Sequence, residues 1–427
     1  MLTLTGSSKA RTATLCALYF AQGIPWGFVT ITLLSYIASR GVGLEETAKI
    51  TALATLPWSF KIFWGVVIDR FSYRPMGHRR PWVLLAQLGI GATALAMILI
   101  DDLSREVGTL AWMVFVHNCF VSLQDVASDA LAVDVLEDDE RGRVNGMMWA
   151  SNFAGTAVGG AGMGLVLASF GVRAAFALEV MVLFGIVLFP LLIREREGDR
   201  LLPWSKDDAA RPREDDRGIG FVALVRALLR ALWSRAAGIG LVFAAVSSLM
   251  IGMLVTVNPV FFVQELGWSQ DRFSAMTGGV GSAFGVAGAL VGGFLVDRMG
   301  VRLLFTGAGI AIAAICLGLA TSQGLRASEL YCTGYLFAVL FLSSAQTVAG
   351  FSLFMRLSAV AIAGTQFTLY MAVTNLGRVF AANLVGWLED TGYPAIFGVM
   401  GGSMLLAIAV VFAIPERPSG SADEPSS

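Results

Sequence analysis

Runs of about 20 apolar residues recur from one end of this 427-residue chain to the other. That feature removes most folds from consideration. A helix needs about 20 consecutive apolar residues to cross ~30 Å of hydrocarbon, and in a bilayer only helices or closed barrels satisfy every backbone N–H and C=O. These runs are long and unbroken, not alternating ten-residue segments, which excludes a transmembrane barrel. Twelve can be drawn, from 13–39 at the start to 393–414 at the end. Only 14% of residues are charged against 56% hydrophobic, too little charge to coat a water-soluble surface at this length. The 48 glycines supply small faces through which helices approach closely in lipid. The expected fold class is all-α integral membrane, with twelve transmembrane helices.

The distribution of charge sets the orientation. With the N-terminus placed in the cytoplasm, all but eight of the 30 Lys and Arg residues fall on cytoplasmic segments. Arg40, Lys49, Arg105, Arg173, Arg272 and Arg326 lie on outer loops or helix ends, and Lys61 and Arg378 fall inside runs. The positive-inside rule then puts both termini in the cytoplasm, in agreement with an even number of spans.

Two stretches repeat 228 residues apart: Gly65-Val66-Val67-Ile68-Asp69-Arg70 and Gly293-Phe294-Leu295-Val296-Asp297-Arg298. Each precedes a basic turn, Gly77-His78-Arg79-Arg80 in one case and Gly300-Val301-Arg302 in the other. Thr30 to Gly41 can be laid on Thr256 to Gly267 at an offset of 226. A parallel duplication follows, with a six-helix half at 1–193 and another at 236–414, the architecture of carriers that rock one half against the other. The connection, 194–235, starts as a solvated charged linker and ends in Phe221 to Arg230, whose spacing predicts an amphipathic helix with Arg226 and Arg230 toward anionic headgroups. The polar tail, 415–427, reads as disordered.

An ionisable side chain at the bilayer centre costs at least about 2.5–3.5 kcal/mol on insertion scales, so each one needs a reason. The fourth run is densest, with His117, Asn118, Ser122, Gln124, Asp125, Ser128 and Asp129. Asn118, Ser122, Asp125 and Asp129, spaced 4, 3 and 4, share one stripe. Such a face lines the bundle interior or a wet cavity. Two readings stand side by side. Asp125 exchanges protons or touches solute, with Asp129 nearer the cytoplasm, or one of the pair is the permanent partner of Lys61 or an arginine. Asn118 and Gln124 count as solute ligands on this face; His117 reads as a packing histidine.

The first run carries Tyr19 to Trp26 around Gly23 and Pro25. Pro25 removes an intrahelical hydrogen bond, which either exposes backbone to solute, with Gln22 and Trp26 as ligands, or simply kinks the helix. Asn258-Pro259 stands in the seventh run. The eleventh holds Gln366, Asn375 and Arg378 as further ligands, Arg378 about seventeen residues into its span and too deep to snorkel. Its guanidinium suits a carboxylate or phosphate; the alternative is a static pair with Glu179 or Asp125. Glu179 itself reads as interfacial. Lys61, Asp69, Arg70, Asp297, Arg298 and Arg356 are assigned to gating, since Asp at a helix C-terminus needs an outside partner; Arg356 alternatively anchors to headgroups. Gly155, Gly159, Gly160, Gly162 and Gly164 make a close-packing seam.

No metal-spaced cluster, phosphate loop or hydrolase motif is present, and the four cysteines lie in apolar runs without ligand spacing. The expected protein is therefore no enzyme and carries no cofactor or metal. Its expected partners are a small solute, protons and the bilayer, without nucleic acid, and it is expected as a monomer.

With these residues in view, the runs and the doubled GxxxDR resemble the major facilitator superfamily across nearly the whole chain. Several segments are similar to the AmpG-type muropeptide permease and acetyl-CoA transporter family. They are Gln22-Gly23-Ile24-Pro25, Phe60-Lys61-Ile62-Phe63-Trp64, Asp69 through Trp82, Gln124-Asp125-Val126-Ala127-Ser128-Asp129-Ala130, Thr365-Gln366-Phe367 and Gly377-Arg378. The chain departs at Ala132, where the permeases resemble it with a lysine, while Arg356 stands where acetyl-CoA transporters carry one. The resemblance implies a proton-coupled symporter of a muropeptide or amino-sugar conjugate in a bacterial inner membrane, working by alternating access. Another anionic metabolite (acyl-CoA-like or siderophore-like) and a non-transporting sensor with the carrier fold are the alternatives.

Overall fold

The computed structural model describes residues 2–71, 73–137, 140–203, 235–358 and 363–414. Among these there is no strand, only helices, turns and an isolated bridge between Thr3 and Arg194. The long helices are α1 (Ser8–Ser39), α2 in two limbs (Leu44–Ser59 and Lys61–Arg70), α3 (Arg80–Met97), α4 (Val107–Val135), α5 (Arg143–Phe170), α6 (Val172–Leu192), α7 (Arg235–Glu265), α8 (Gln270–Met299), α9 (Val301–Thr321), α10 (Glu329–Leu357), α11 (Ala363–Trp387) and α12 (Gly392–Ala413). Among the described residues nine of these are long and apolar enough to span a bilayer, and α2 makes a tenth if its limbs, bent by 40°, form one span. The other two expected spans, α3 and α11, are more polar: α3 opens on Arg80 and Pro81, and α11 carries Gln366, Asn375 and Arg378. The helix expected over Phe221 to Arg230 and the tail from 415 lie outside the described residues.

Proline and glycine shape the rods. Pro25 in α1 and Pro259 in α7 each remove an N–H from the ladder. Widened π-helical turns follow at Phe28–Leu33 and Phe261–Glu265, with two more at Val158–Gly162 in α5 and Ala275–Val280 in α8. Both α1 and α7 stop at a glycine with positive φ, Gly41 at 84° and Gly267 at 67°, the left-handed conformation that ends helices at low cost in glycine. These two positions stand at the 226-residue offset read from the sequence.

The glycine seam of α5 has two faces. A Cβ on Gly155 or Gly159 would strike the α1 carbonyls of Phe20 or Ile24, so α1 and α5 lie backbone to backbone. Toward α8, a Cβ on Gly160 would sit 2.8 Å from Gly278 Cα, and one on Gly164 would sit 2.6 Å from Ser274 Cβ. Gly162 meets only the Val158 side chain at 3.7 Å and takes no part. In lipid, contact of this kind is the main source of helix association, because tails are as apolar as the side chains they replace.

The end of the bundle that holds the N-terminus, here the basal end, is tied by charge. Glu195, expected in a solvated linker, is 0% exposed. Its carboxylate accepts the backbone N–H groups of His78 at 3.0 Å, Arg79 at 2.9 Å and Arg80 at 3.0 Å. The cause is the unsatisfied donors and positive dipole end of α3, a ready anion site. Arg80, also buried, donates to the carbonyls of Leu191 at 2.9 Å, Arg200 at 3.0 Å and Leu201 at 2.8 Å, and so closes the C-terminal carbonyls of α6.

Gly159→Ala is expected to cost about 1–3 kcal/mol by overpacking against α1, read as a lower melting temperature in detergent. Gly162→Ala should be neutral. Equal losses would mean that the seam is not set by backbone contact.

Candidate functional site

The site is built around the break in α2. Pro57 lies inside the upper limb, and the helix bends at Phe60 before restarting at Lys61. A proline there removes a ladder donor and clashes with the preceding turn, so carbonyls near the break turn outward and find side-chain donors. Asn118 Nδ2 of α4 donates to Ala54 O at 2.7 Å, and Ser122 Oγ donates to Pro57 O at 3.3 Å. Asn375 Nδ2 of α11 donates to Trp58 O at 3.3 Å. The polar stripe of α4 is thus fastened to the kink.

One turn further along that stripe Asp125 forms an ion pair with Lys61, both side chains nearly buried (11% and 14% exposed). The ammonium also sits over the Trp58 ring, 5.0 Å from its centroid. Trp58 in turn packs edge-on against Trp26 of α1 at 6.0 Å. Asp129 accepts a hydrogen bond from the Tyr19 hydroxyl of α1, and Tyr19 packs edge-on against Trp149 of α5 at 6.0 Å. Gln124 Nε2 donates to Leu18 O at 2.9 Å. The Lys61 ammonium thus pairs with Asp125 while Asp129 one turn on is held by Tyr19, in a medium where lone charges are expensive.

Two cavities adjoin this cluster, and a third lies on the α7, α10 and α11 side. The largest of them, about 200 Å³, lies between α1, α5, α7, α8 and α10. Trp26, Thr30, Thr156, Asn258, Thr277 and Ser344 give it aromatic and polar walls, and among the described residues no charged side chain lines it. A basal cavity of about 190 Å³ touches Tyr19, Asp129, Arg141 and Asn145. A small one of about 30 Å³ contains Arg378.

The remaining expected residues fall as follows. Gln22 is buried, with its Nε2 unpartnered among the described residues. The amide nitrogens of Asn118, Gln124 and Asn375 are committed to helix–helix hydrogen bonds. Gln366 donates to the Tyr370 hydroxyl at 3.0 Å. His117 packs as expected, buried and 2.8 Å from the Thr93 hydroxyl. Glu179 is not interfacial: it is 1% exposed inside α6. The alternative of a static Arg378 pair with Asp125 or Glu179 is not formed, and Asp125 is taken by Lys61. Among the gating residues Arg70, Asp297, Arg298 and Arg356 are exposed, with Arg298 lying over the Phe294 ring at 4.2 Å; the Asp69 side chain lies outside the described set.

The far, distal end is closed. Gln264 Nε2 of α7 donates to Ala38 O and Val42 O, both at 2.9 Å, and Ser35 Oγ lies 3.2 Å from Ser274 Oγ. The Glu389 carboxylate accepts the N–H groups of Leu44 at 2.8 Å and Glu45 at 3.0 Å at the start of α2. Neither this lock nor Tyr19 and Trp58 was expected as functional. Tyr19 and Trp58 adjoin residues that were flagged, but Glu389 looks in sequence like any acidic turn.

Comparison with known proteins follows the same lines. The family model of the Major Facilitator Superfamily matches residues 12–382. The anhydromuropeptide permease of Escherichia coli (strain K12) is 26% identical over 396 residues, 91% of this chain and 76% of that protein. A solved nucleoside transporter NupG superposes with a TM-score of 0.71 at 11% identity, covering 94% of this chain and 98% of its own. A POT family transporter in complex with a thioalcohol-conjugated peptide gives 0.73 at 12%, covering 96% and 98%.

Lys61→Met or Asp125→Asn alone strands the other charge, a loss of about 3–5 kcal/mol. The double variant is expected to recover more than half of either loss. Melting temperatures of the three variants in detergent check this; simple additivity would show that the two groups do not depend on each other.

Proposed function

The chain belongs to the Major Facilitator Superfamily, and from that membership we propose a proton-coupled carrier of anhydromuropeptides or related amino-sugar conjugates, working by alternating access. It is an integral membrane transporter and no enzyme. The solute class is supported by the printed activity of the Escherichia coli relative. We place it in a bacterial inner membrane as a monomer, with twelve spans and both termini cytoplasmic, so that the basal end faces the cytoplasm. The halves are 1–193 and 236–414, joined by 194–235.

The observation that carries this reading is the charged cluster between two cavities. Asp125 and Lys61 lie behind Trp58 and Trp26, and Trp26 lines the central cavity. Asp129 and Tyr19 line the basal one. A proton on Asp125 would cancel the charge that holds Lys61, and a proton on Asp129 would remove the acceptor that orders Tyr19. Either change loosens helices at the heart of the bundle. Trp26, Gln22 and Arg378 are proposed to contact solute. Asn118, Gln124, Gln366 and Asn375 set the helices around it. Arg70, Asp297, Arg298 and Arg356, with Lys61 and Asp69, act in closing the basal end, and the exposure of the first four fits a conformation closed at the distal end.

In proteoliposomes, Asp125→Asn should lower pH-gradient-driven accumulation of an anhydromuropeptide at least tenfold while solute exchange without a gradient persists. Unchanged accumulation would remove Asp125 from coupling. A panel of CoA esters and siderophores taken up in place of the muropeptide would favour another anionic solute.

The distal lock gives an independent test of alternating access. Glu389→Ala with Gln264→Ala should open the distal end, so that a thiol placed by Ser274→Cys, without the native cysteines, reacts several-fold faster with a membrane-impermeant reagent. No change in rate would show that these contacts do not hold the distal end shut.

A further inference from the structure

Arg378 sits mid-helix because glycine lets α11 press on α7. A Cβ on Gly252 would lie 2.8 Å from Arg378 Cα, and one on Gly377 would lie 2.6 Å from Ala245 O. The guanidinium makes no hydrogen bond or ion pair with any described residue, and its Nε is shut off from solvent. Its cavity of about 30 Å³ is walled by Phe305, Phe351 and Phe354 and by the polar residues Gln346, Thr347 and Thr374. Ser247 and Ser248 line it as well; the donors of Ser248, Gln346, Thr347 and Thr374 are already engaged, Ser248 Oγ with Ala245 O at 2.7 Å. Gln346 Nε2 donates to Phe305 O at 2.9 Å, Thr347 to Ser343 O at 2.9 Å and Thr374 to Tyr370 O at 2.9 Å. Among the described residues the cavity therefore offers one fixed cation with free donors and no carboxylate to balance it, an arrangement that an anionic guest completes.

The position of this cavity says how a guest would lie. Two helices wall both it and the central cavity. On α7 the small cavity touches Ile251 and the central one Leu254; on α10 they touch Thr347 and Ser344. Each step is one helical turn. The central cavity has aromatic and hydroxyl walls with no charge, and the small one has a charge and little room.

Resting on the carrier reading above, we propose that Arg378 is a carboxylate subsite. It takes one carboxylate of the solute in the small cavity while the neutral, hydroxylated body occupies the central one. A space of about 30 Å³ admits a planar carboxylate or a pair of waters and excludes a sugar ring. The fork geometry of a guanidinium matches the two carboxylate oxygens.

The test has two arms. In the first, formate is titrated against purified wild type, Arg378→Gln and Arg378→Lys, with ionic strength held by methanesulfonate, and melting temperature is read. Wild type should gain several degrees saturably, the lysine variant less and the glutamine variant nothing. In the second, 1,6-anhydro-N-acetylmuramic acid is compared with its carboxamide. Wild type should prefer the acid at least tenfold, and Arg378→Gln should bind both alike. Equal formate stabilisation in wild type and Arg378→Gln, or an acid preference that survives the substitution, overturns the subsite. Formate stabilisation confined to wild type and Arg378→Lys, with no response to either sugar, keeps the subsite and removes the anhydromuramic carboxylate as the group it takes. Should Arg378→Gln not yield monodisperse protein, the ranking of wild type above Arg378→Lys decides, and equal response of those two overturns the proposal.

Discussion

A lone ammonium or carboxylate inside a helix bundle is costly, and the Lys61–Asp125 pair lets this protein hold both at the bend of α2. Much of the neighbouring geometry follows from bringing those two side chains together. Lys61 begins the lower limb of α2, so the break beside Pro57 aims it at α4. The carbonyls turned out at that break are then taken by Asn118, Ser122 and Asn375. The same stripe of α4 carries Asp129 down to Tyr19. Kink, stripe and ion pair form one construction, because each polar group satisfied at the bend removes a penalty that lipid would otherwise impose.

Residues 1–193 and 236–414, the halves proposed above, share backbone devices and differ in chemistry. Close contact of α1 with α5 through Gly155 and Gly159 is matched by close contact of α7 with α11 through Gly252 and Gly377. Pro25 and Pro259 each precede a widened turn. Outside the doubled Asp-Arg motif, charge within the helices is not repeated in this way. The carboxylates and their lysine lie on α2 and α4, whereas the free guanidinium lies on α11.

Sequence alone made the helices and the polar stripe readable, since apolar length and 3.6-residue spacing are local properties. Asp125, Lys61 and Arg378 stood out because charge within an apolar run demands a reason. What stayed hidden depends on contacts between distant segments. The pairing of Lys61 with Asp125 was one of two readings until the bend in α2 was known. Glu195 looked like a solvated linker residue, yet it caps α3, because nothing local says that α3 will start beside it. Glu389 was passed over for the same reason. Asn118 and Gln124 were read as solute ligands because an amide in an apolar run signals a polar need, but spacing does not distinguish a solute from the carbonyl of a neighbouring helix.

Trp58 is the point at which these strands meet. Its ring lies against the Lys61 ammonium and the edge of Trp26, and its carbonyl holds Asn375 from α11. Trp26 borders the central cavity, so whatever fills that cavity presses on a ring in contact with the ion-pair cation. Cation–π contact weakens as the ammonium leaves the ring face, and the Lys61–Asp125 attraction changes with the same displacement. Asn375 stands one helical turn from Arg378, so the far side of Trp58 is tied to the helix that carries the free guanidinium. A single indole thus gives the cavity contact with the charges on both sides through packed groups alone.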